Sequence, residues 1–141
     1  MLFNFSKKYP FSTRLELKNT KIERISEIKL LGTVITDDLK WERNTAELVK
    51  KGNARMRLLT KVASFTKSID DLKNIYTVFI RSILENSAVV WHSGLSAESN
   101  HNLERVQKTA LKIILGNKYT NYSNSLEILN FETLQKRREN L

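Results

Sequence analysis

Pro10 is the only proline in 141 residues, and four glycines are the only other strong helix breakers. From Phe11 onward nothing in the chain forbids long helices, because proline costs about 3 kcal/mol in a helix interior and glycine about 1. A helical majority is therefore expected. With 40% hydrophobic residues the length suffices for one ordinary domain with a core and is too short to promise two.

The amino-terminal quarter does not follow the helical period. Leu15 and Leu17 alternate with polar neighbours, Lys18-Asn19-Thr20 offers turn chemistry, and Ile28 to Ile35 is rich in β-branched residues. This pattern predicts a small antiparallel sheet of two or three strands, with Gly32 inside the last. A glycine there marks a bulge or a close approach of another backbone or ligand.

From Asp38 the period becomes helical. Asn44 followed by Glu47 predicts a helix start. Leu48, Gly52, Met56, Leu59 and Ala63 then recur at helical spacing, so a first helix should end near Ala63. At about 100° per residue, Arg43, Lys50, Arg57 and Lys61 share a stripe roughly opposite the apolar one, with Glu47 at its edge. A helix that is greasy on one side and cationic on the other suits a place between a core and a polyanion, although a solvated charged face has the same pattern.

Ser68 and Asp71 predict a second helix start, and apolar spacing from Leu72 through Trp91 carries that helix to Gly94. Tyr76 and Trp91 lie on its inward stripe and are read as packing residues, and His92 as a helix-terminus histidine. A third helix opens at Ser96, faces Leu103, Val106, Ala110, Ile113 and Ile114 inward, and stops at Gly116. Arg105, Lys108 and Lys112 form a second basic stripe on its outer side, open to the same two interpretations. Two shorter helices follow, one with Leu126 and Leu129, the other with Leu134, Lys136, Arg137 and Arg138. The expected fold is α+β, mainly α: a small amino-terminal antiparallel sheet over 1–37, then a helical bundle of four to five helices over 38–141. The chain ends within a helical pattern, as a fragment would.

Charge narrows the choice of partner. Lys and Arg number 24 against 15 Asp and Glu, a net charge of +9, which favours nucleic acid or an anionic surface. Lys7 and Lys8 interrupt the apolar amino end, so neither a signal peptide nor a membrane span is expected, and the Asn4-Phe5-Ser6 and Asn121-Tyr122-Ser123 strings carry no glycosylation argument. An intracellular protein follows, nuclear or cytoplasmic undecided. The chain has no cysteine, which excludes disulfides and thiolate sites. His92 and His101 are too far apart in sequence to share a metal from one helical turn.

Catalytic chemistry is equally sparse. Polynucleotide transfer by two metals needs clustered carboxylates; Asp37-Asp38 is the only such pair in the strand-rich region and reads as turn and helix-lead chemistry. No phosphate-binding glycine loop or nucleophile elbow is present.

The order of short strings is more specific than any one of them. Glu27-Ile28-Lys29-Leu30-Leu31-Gly32-Thr33-Val34-Ile35 precedes Asp38-Leu39-Lys40-Trp41 and then Leu48-Val49-Lys50-Lys51. Further on come Arg81-Ser82-Ile83-Leu84-Glu85, Val89-Val90-Trp91, Leu103-Glu104-Arg105-Val106-Gln107-Lys108, Ile113-Ile114-Leu115-Gly116 and Leu134-Gln135-Lys136-Arg137-Arg138. Together, over residues 27 to 138, they resemble the end of the palm and the thumb of reverse transcriptases from non-LTR retrotransposons, the LINE-like and jockey-like elements.

The resemblance implies a fragment of an RNA-directed DNA polymerase. Residues 1–37 would end the palm, with Leu30, Leu31 and Gly32 as the primer grip, and residues 38–141 would be the thumb. The thumb would hold an RNA/DNA or DNA duplex through Arg43, Lys50, Arg57, Lys61, Arg105, Lys108 and Lys112. Fingers and catalytic aspartates are missing, so the chain alone should be inactive. Magnesium belongs only to the complete polymerase, no other cofactor or small-molecule ligand is expected, and the missing palm and fingers are partners. The alternative is a helical protein–protein interaction module with no polymerase role. A helix-turn-helix reader would need a short glycine-containing turn that neither helix junction has.

Overall fold

The computed structural model describes residues 16–141. Leu15, Lys7, Lys8 and the Asn4-Phe5-Ser6 string lie outside the described residues. The chain forms two small antiparallel hairpins followed by a bundle built mainly from helices, so it is α+β and mainly α.

The strands are arranged as two separate hairpins and not as one sheet. β1 (Glu16–Leu17) pairs with β2 (Thr20–Lys21), and β3 (Glu27–Leu30) pairs with β4 (Thr33–Thr36). Each hairpin turns on two residues with positive φ: Lys18 and Asn19 at 48° and 64°, Leu31 and Gly32 at 50° and 86°. Two-residue turns of this kind match the right-handed twist of the flanking strands. Gly32 thus sits in the turn, not inside a strand as the run of apolar residues suggested. The apolar pattern is continuous across the turn because Leu31, which a turn of this type disfavours, occupies its first position.

α1 spans Glu42–Phe65 without a break. Its start differs from the expected one: the helix begins before Asn44, which is 1% exposed and accepts the Val34 backbone N–H on Oδ1 at 3.0 Å. Asn44 therefore ties β4 to α1 instead of capping the helix. Asp38 closes the intervening turn, accepting from Thr36 Oγ1 at 2.8 Å and Lys40 N at 3.1 Å. The Thr36 hydrogen bond, foremost among these contacts, holds its carboxyl below the usual aspartate range.

The second helix is broken where one continuous helix to Gly94 was expected. Ser68 caps α2 (Ile69–Ile75), with its Oγ accepting from Asp71 N at 3.3 Å. The helix widens into a π-helical stretch, Tyr76–Arg81, tightens again as α3 (Ser82–Leu84), and then turns at Ser87, φ 53°, into α4 (Ala88–Trp91). The break has a physical cause. Trp91 is fully buried, and its indole N–H donates at 2.8 Å to the carbonyl of Asn86, which the turn frees from the helical ladder.

α5 (Ala97–Leu115) begins at the Ser96 cap and ends at Gly116, whose φ is 51°. α6 (Tyr122–Leu129) and α7 (Leu134–Glu139), capped by Asn121 and Thr133, complete the bundle. Leu48, Leu59, Tyr76, Leu84, Trp91, Leu103, Leu111 and Leu134 form the centre of the core.

A polar chain crosses the back of that core. Tyr76 OH donates to Gln107 Oε1 at 2.6 Å, and Gln107 Nε2 donates to Tyr122 OH and to the Glu132 carbonyl, both at 2.9 Å. Tyr122 OH donates to Glu104, whose other oxygen accepts Gln135 N at 2.8 Å. Arg137 clasps Glu85 through two hydrogen bonds, at 2.6 and 3.2 Å, and so pins α7 to the end of α3. Burial pushes the Tyr76 phenol well above its ordinary pKa, so it stays a neutral donor.

At Gly52 α1 packs closely against Leu84 and Val106. A Cβ there would lie 2.9 Å from Leu84 Cδ2 and 3.2 Å from Val106 Cγ1. Alanine normally stabilises a helix interior by about 1 kcal/mol over glycine. Here overpacking should outweigh that gain, so Gly52→Ala is expected to destabilise the fold by about 1 kcal/mol net in urea unfolding. A more stable variant would show that the contact between α1 and α5 is loose.

Candidate nucleic-acid interface

Because α1 is unbroken, residues at heptad-like spacing stay on one side of it. Arg43, Lys50, Arg57 and Lys61 are all exposed, and their stripe is about 27 Å long at about 1.5 Å per residue. Leu48, Gly52, Met56 and Leu59 are buried on the other side. On α5 the same logic holds: Arg105, Lys108 and Lys112 are exposed, Leu103, Val106, Ala110 and Ile114 are buried, and Ile113 is half-buried at the edge of the core.

α1 and α5 lie side by side and run in the same direction. An open groove of about 480 Å³ separates Glu42, Thr45, Ala46, Val49 and Lys50 from Glu98, Ser99 and Asn102. Val49 and Asn102 carry it into a narrower part of about 160 Å³ flanked by Asn53, Arg105 and Thr109. Lys50 and Arg105 therefore stand on opposite rims of one groove, a pairing of stripes that neither helix reveals by itself.

Among the described residues most of these cations have no acid within ion-pair distance. Among the described residues Arg43 alone of the seven is in an ion pair, with Glu27 at 3.5 Å across the hairpin. Both partners are more than half exposed, so that contact is worth little and is readily exchanged. Lys112 Nζ lies 5.4 Å from the centre of the Tyr119 ring, a contact that leaves its charge uncompensated. By contrast Lys40, Arg81, Lys136 and Arg137 pair with acids, and Arg138 is 1% exposed beneath Trp91. Lys50, Arg57, Lys61, Arg105, Lys108 and Lys112 are therefore outside any ion pair among the described residues, as are Lys18, Lys21, Arg24, Lys29, Lys67 and Lys118 off the two helices.

Leu30, Leu31 and Gly32 stand at the tip of the β3–β4 hairpin. Leu31 is 89% exposed while holding a left-handed backbone conformation, which combines strain with an exposed apolar side chain. A Cβ on Gly32 would come within 3.6 Å of Asn86 Nδ2, so the tip sits beside the turn that leads into α4. Val89 and Val90 on α4 are also exposed.

Periodicity missed the residues that hold this surface in place. Gln107 occupies an apolar-stripe position on α5 between Leu103 and Leu111, and Asn44 does so on α1 four residues before Leu48. A polar residue at a core position was the available signal. Among the described residues no group of three or more His, Asp or Glu side chains is placed to hold a metal ion, and no helix is long and apolar enough to cross a membrane. No protein-family model, curated protein or solved structure matches this chain.

Proposed function

We propose that this chain is the primer-grip and thumb region of a non-LTR retroelement reverse transcriptase, and that it holds a template–primer duplex by its phosphates. The observation that supports this most directly is the set of exposed cations outside any ion pair among the described residues on the neighbouring helices α1 and α5, of which Lys50 and Arg105 line the groove between them. Lysine and arginine contacts to phosphate position a duplex without reading its sequence. The hairpin tip with Leu30, Leu31 and Gly32 would meet the primer near its growing end. The chemistry itself, with its magnesium ions, would reside in palm and fingers supplied from outside these residues.

The test is binding of a fluorescent RNA/DNA hybrid while salt is raised from 50 to 200 mM. Each phosphate contact contributes about 0.9 to the slope of log affinity against log salt, so several contacts give a steep fall. No binding even at 50 mM, or a slope under about 1, would reject the proposal.

A second reading has its own observation. The exposed Leu31, Val89 and Val90 form apolar surface around the hairpin and α4, which suits a helical module that docks on another protein. A dimer in sizing chromatography that ignores added nucleic acid would favour that reading.

A further inference from the structure

A further stripe on α1 belongs neither to the buried face nor to the basic one. Lys51, Arg55, Leu58, Val62 and Phe65 follow one another at intervals of four, three, four and three residues, the heptad spacing that keeps side chains on one seam of a helix. At about 100° per residue the seam lies on the flank of α1 opposite Val49 and Asn53, which line the groove toward α5. Leu58 is 41% exposed and Phe65 82%, and Val62 between them is half-buried. Apolar residues scattered singly over a surface are ordinary, but a regular seam is the pattern by which one helix receives another. From Lys51 to Phe65 it runs for about 21 Å at about 1.5 Å per residue, enough to seat about four turns of a second helix.

Charge selects the occupant. The amino-terminal end of the seam is cationic: Lys51 is half-buried, Arg55 is exposed, and neither is in an ion pair among the described residues. Glu47, one turn before Lys51, is not paired with it. Lys61 lies three residues after Leu58 and four before Phe65, so it stands beside the apolar part, and it too is outside any ion pair among the described residues. A second copy of this chain carries the same cations and the same net charge of +9, so like charges oppose self-association along the seam. A helix with an apolar stripe bordered by glutamate or aspartate meets both features at once: its apolar residues cover Leu58, Val62 and Phe65, and its acids face Lys51, Arg55 and Lys61. We infer that this seam docks an acidic amphipathic helix of a partner protein. The docking needs no nucleic acid and goes beyond the proposed phosphate contacts.

The experiment measures binding of three fluorescent synthetic peptides to the full chain, without nucleic acid. The first is a helix of about three heptads with leucine at the seam positions and glutamate beside them. The second has lysine for each glutamate, and the third is the acidic peptide with its sequence scrambled. The acidic helix should bind about tenfold more tightly than either of the others. Leu58→Ser with Phe65→Ser should weaken it about thirtyfold, the loss expected on truncating a central contact. Phe65→Ser alone changes a side chain that is 82% exposed, so it should keep the helical signal and still lower the affinity. Lys51→Glu with Arg55→Glu should shift the preference toward the lysine peptide. Equal binding of the scrambled acidic peptide would overturn the inference, since diffuse attraction to a polyanion would then suffice. A preference of the unaltered chain for the lysine peptide, or binding of none of the three, would overturn it as well. So would a dimer in sizing chromatography that Phe65→Ser dissolves, because a second copy would then be the occupant. Each of these failures leaves the phosphate contacts standing, since no duplex is present.

Discussion

Changing Lys50, Arg57 and Lys61 together to glutamate should remove duplex binding almost entirely and flatten the salt dependence by about three units of slope, one for each lost phosphate contact. All three side chains are exposed and none forms an ion pair among the described residues. Exposed substitutions of this kind usually change stability by about 0.5 kcal/mol or less, so the folded chain should survive. At low salt the loss of affinity should reach about a hundredfold or more, because glutamates also repel the phosphates they now face. A control with the same change in net charge, +9 to +3 for three cations turned to acids, is Lys18, Lys21 and Arg24 to glutamate. These are exposed and lie off both helices. If the control loses as much affinity as the α1 variant, diffuse charge does the binding and the stripes are incidental.

The surface that this experiment probes was legible in one dimension and hidden in the second. Arg43, Lys50, Arg57 and Lys61 could be placed on a common face from spacing alone, because α1 is long, regular and flanked by no breaker. The same holds for Arg105, Lys108 and Lys112 on α5. That Lys50 and Arg105 share a groove is a tertiary fact: their helices are brought together by Gly52, Leu84 and Val106, residues whose spacing says only that they are buried. Periodicity is blind to which buried face meets which.

Two of three departures from local expectation share a cause. Asn44 carries helix-start chemistry, yet its side chain is used on Val34 because the hairpin would otherwise leave that buried backbone N–H without an acceptor. The helix expected to run from Ser68 to Gly94 breaks at Ser87, where an indole N–H needs the Asn86 carbonyl. Leu31 sits where the turn favours asparagine or glycine, and nothing in its packing explains the choice, since it is exposed. In the first two, satisfying a buried polar group outweighs local propensity. Other polar residues at inward positions, in the polar chain behind the core, obey the same logic: Glu85 meets Arg137, Glu104 meets Gln135, and Gln107 meets Tyr76.

That chain sets the second large effect. Gln107→Leu is close in volume, but it removes three hydrogen bonds from a side chain that is 1% exposed. Tyr76 OH and the Glu132 carbonyl would lose their partner inside the protein, at about 1–3 kcal/mol for each orphaned group. A total near 3 kcal/mol is a large part of a stability of about 5–15, and it should lower Tm by about 10 °C at this chain length. Tyr76→Phe alone orphans only Gln107 Oε1 and should cost about 1 kcal/mol. Combining the two removes donor and acceptor together, so the double variant should be more stable than the sum of the single losses predicts, by about 1 kcal/mol of coupling. Thermal melts of the three variants measure this, and strictly additive losses would mean that the Tyr76–Gln107 bond contributes nothing of its own. Gln107 lies on α5 between Arg105 and Lys108. Weakening its anchorage should therefore loosen the α1–α5 groove before the chain unfolds, and duplex binding should fall with temperature earlier than the helical signal does.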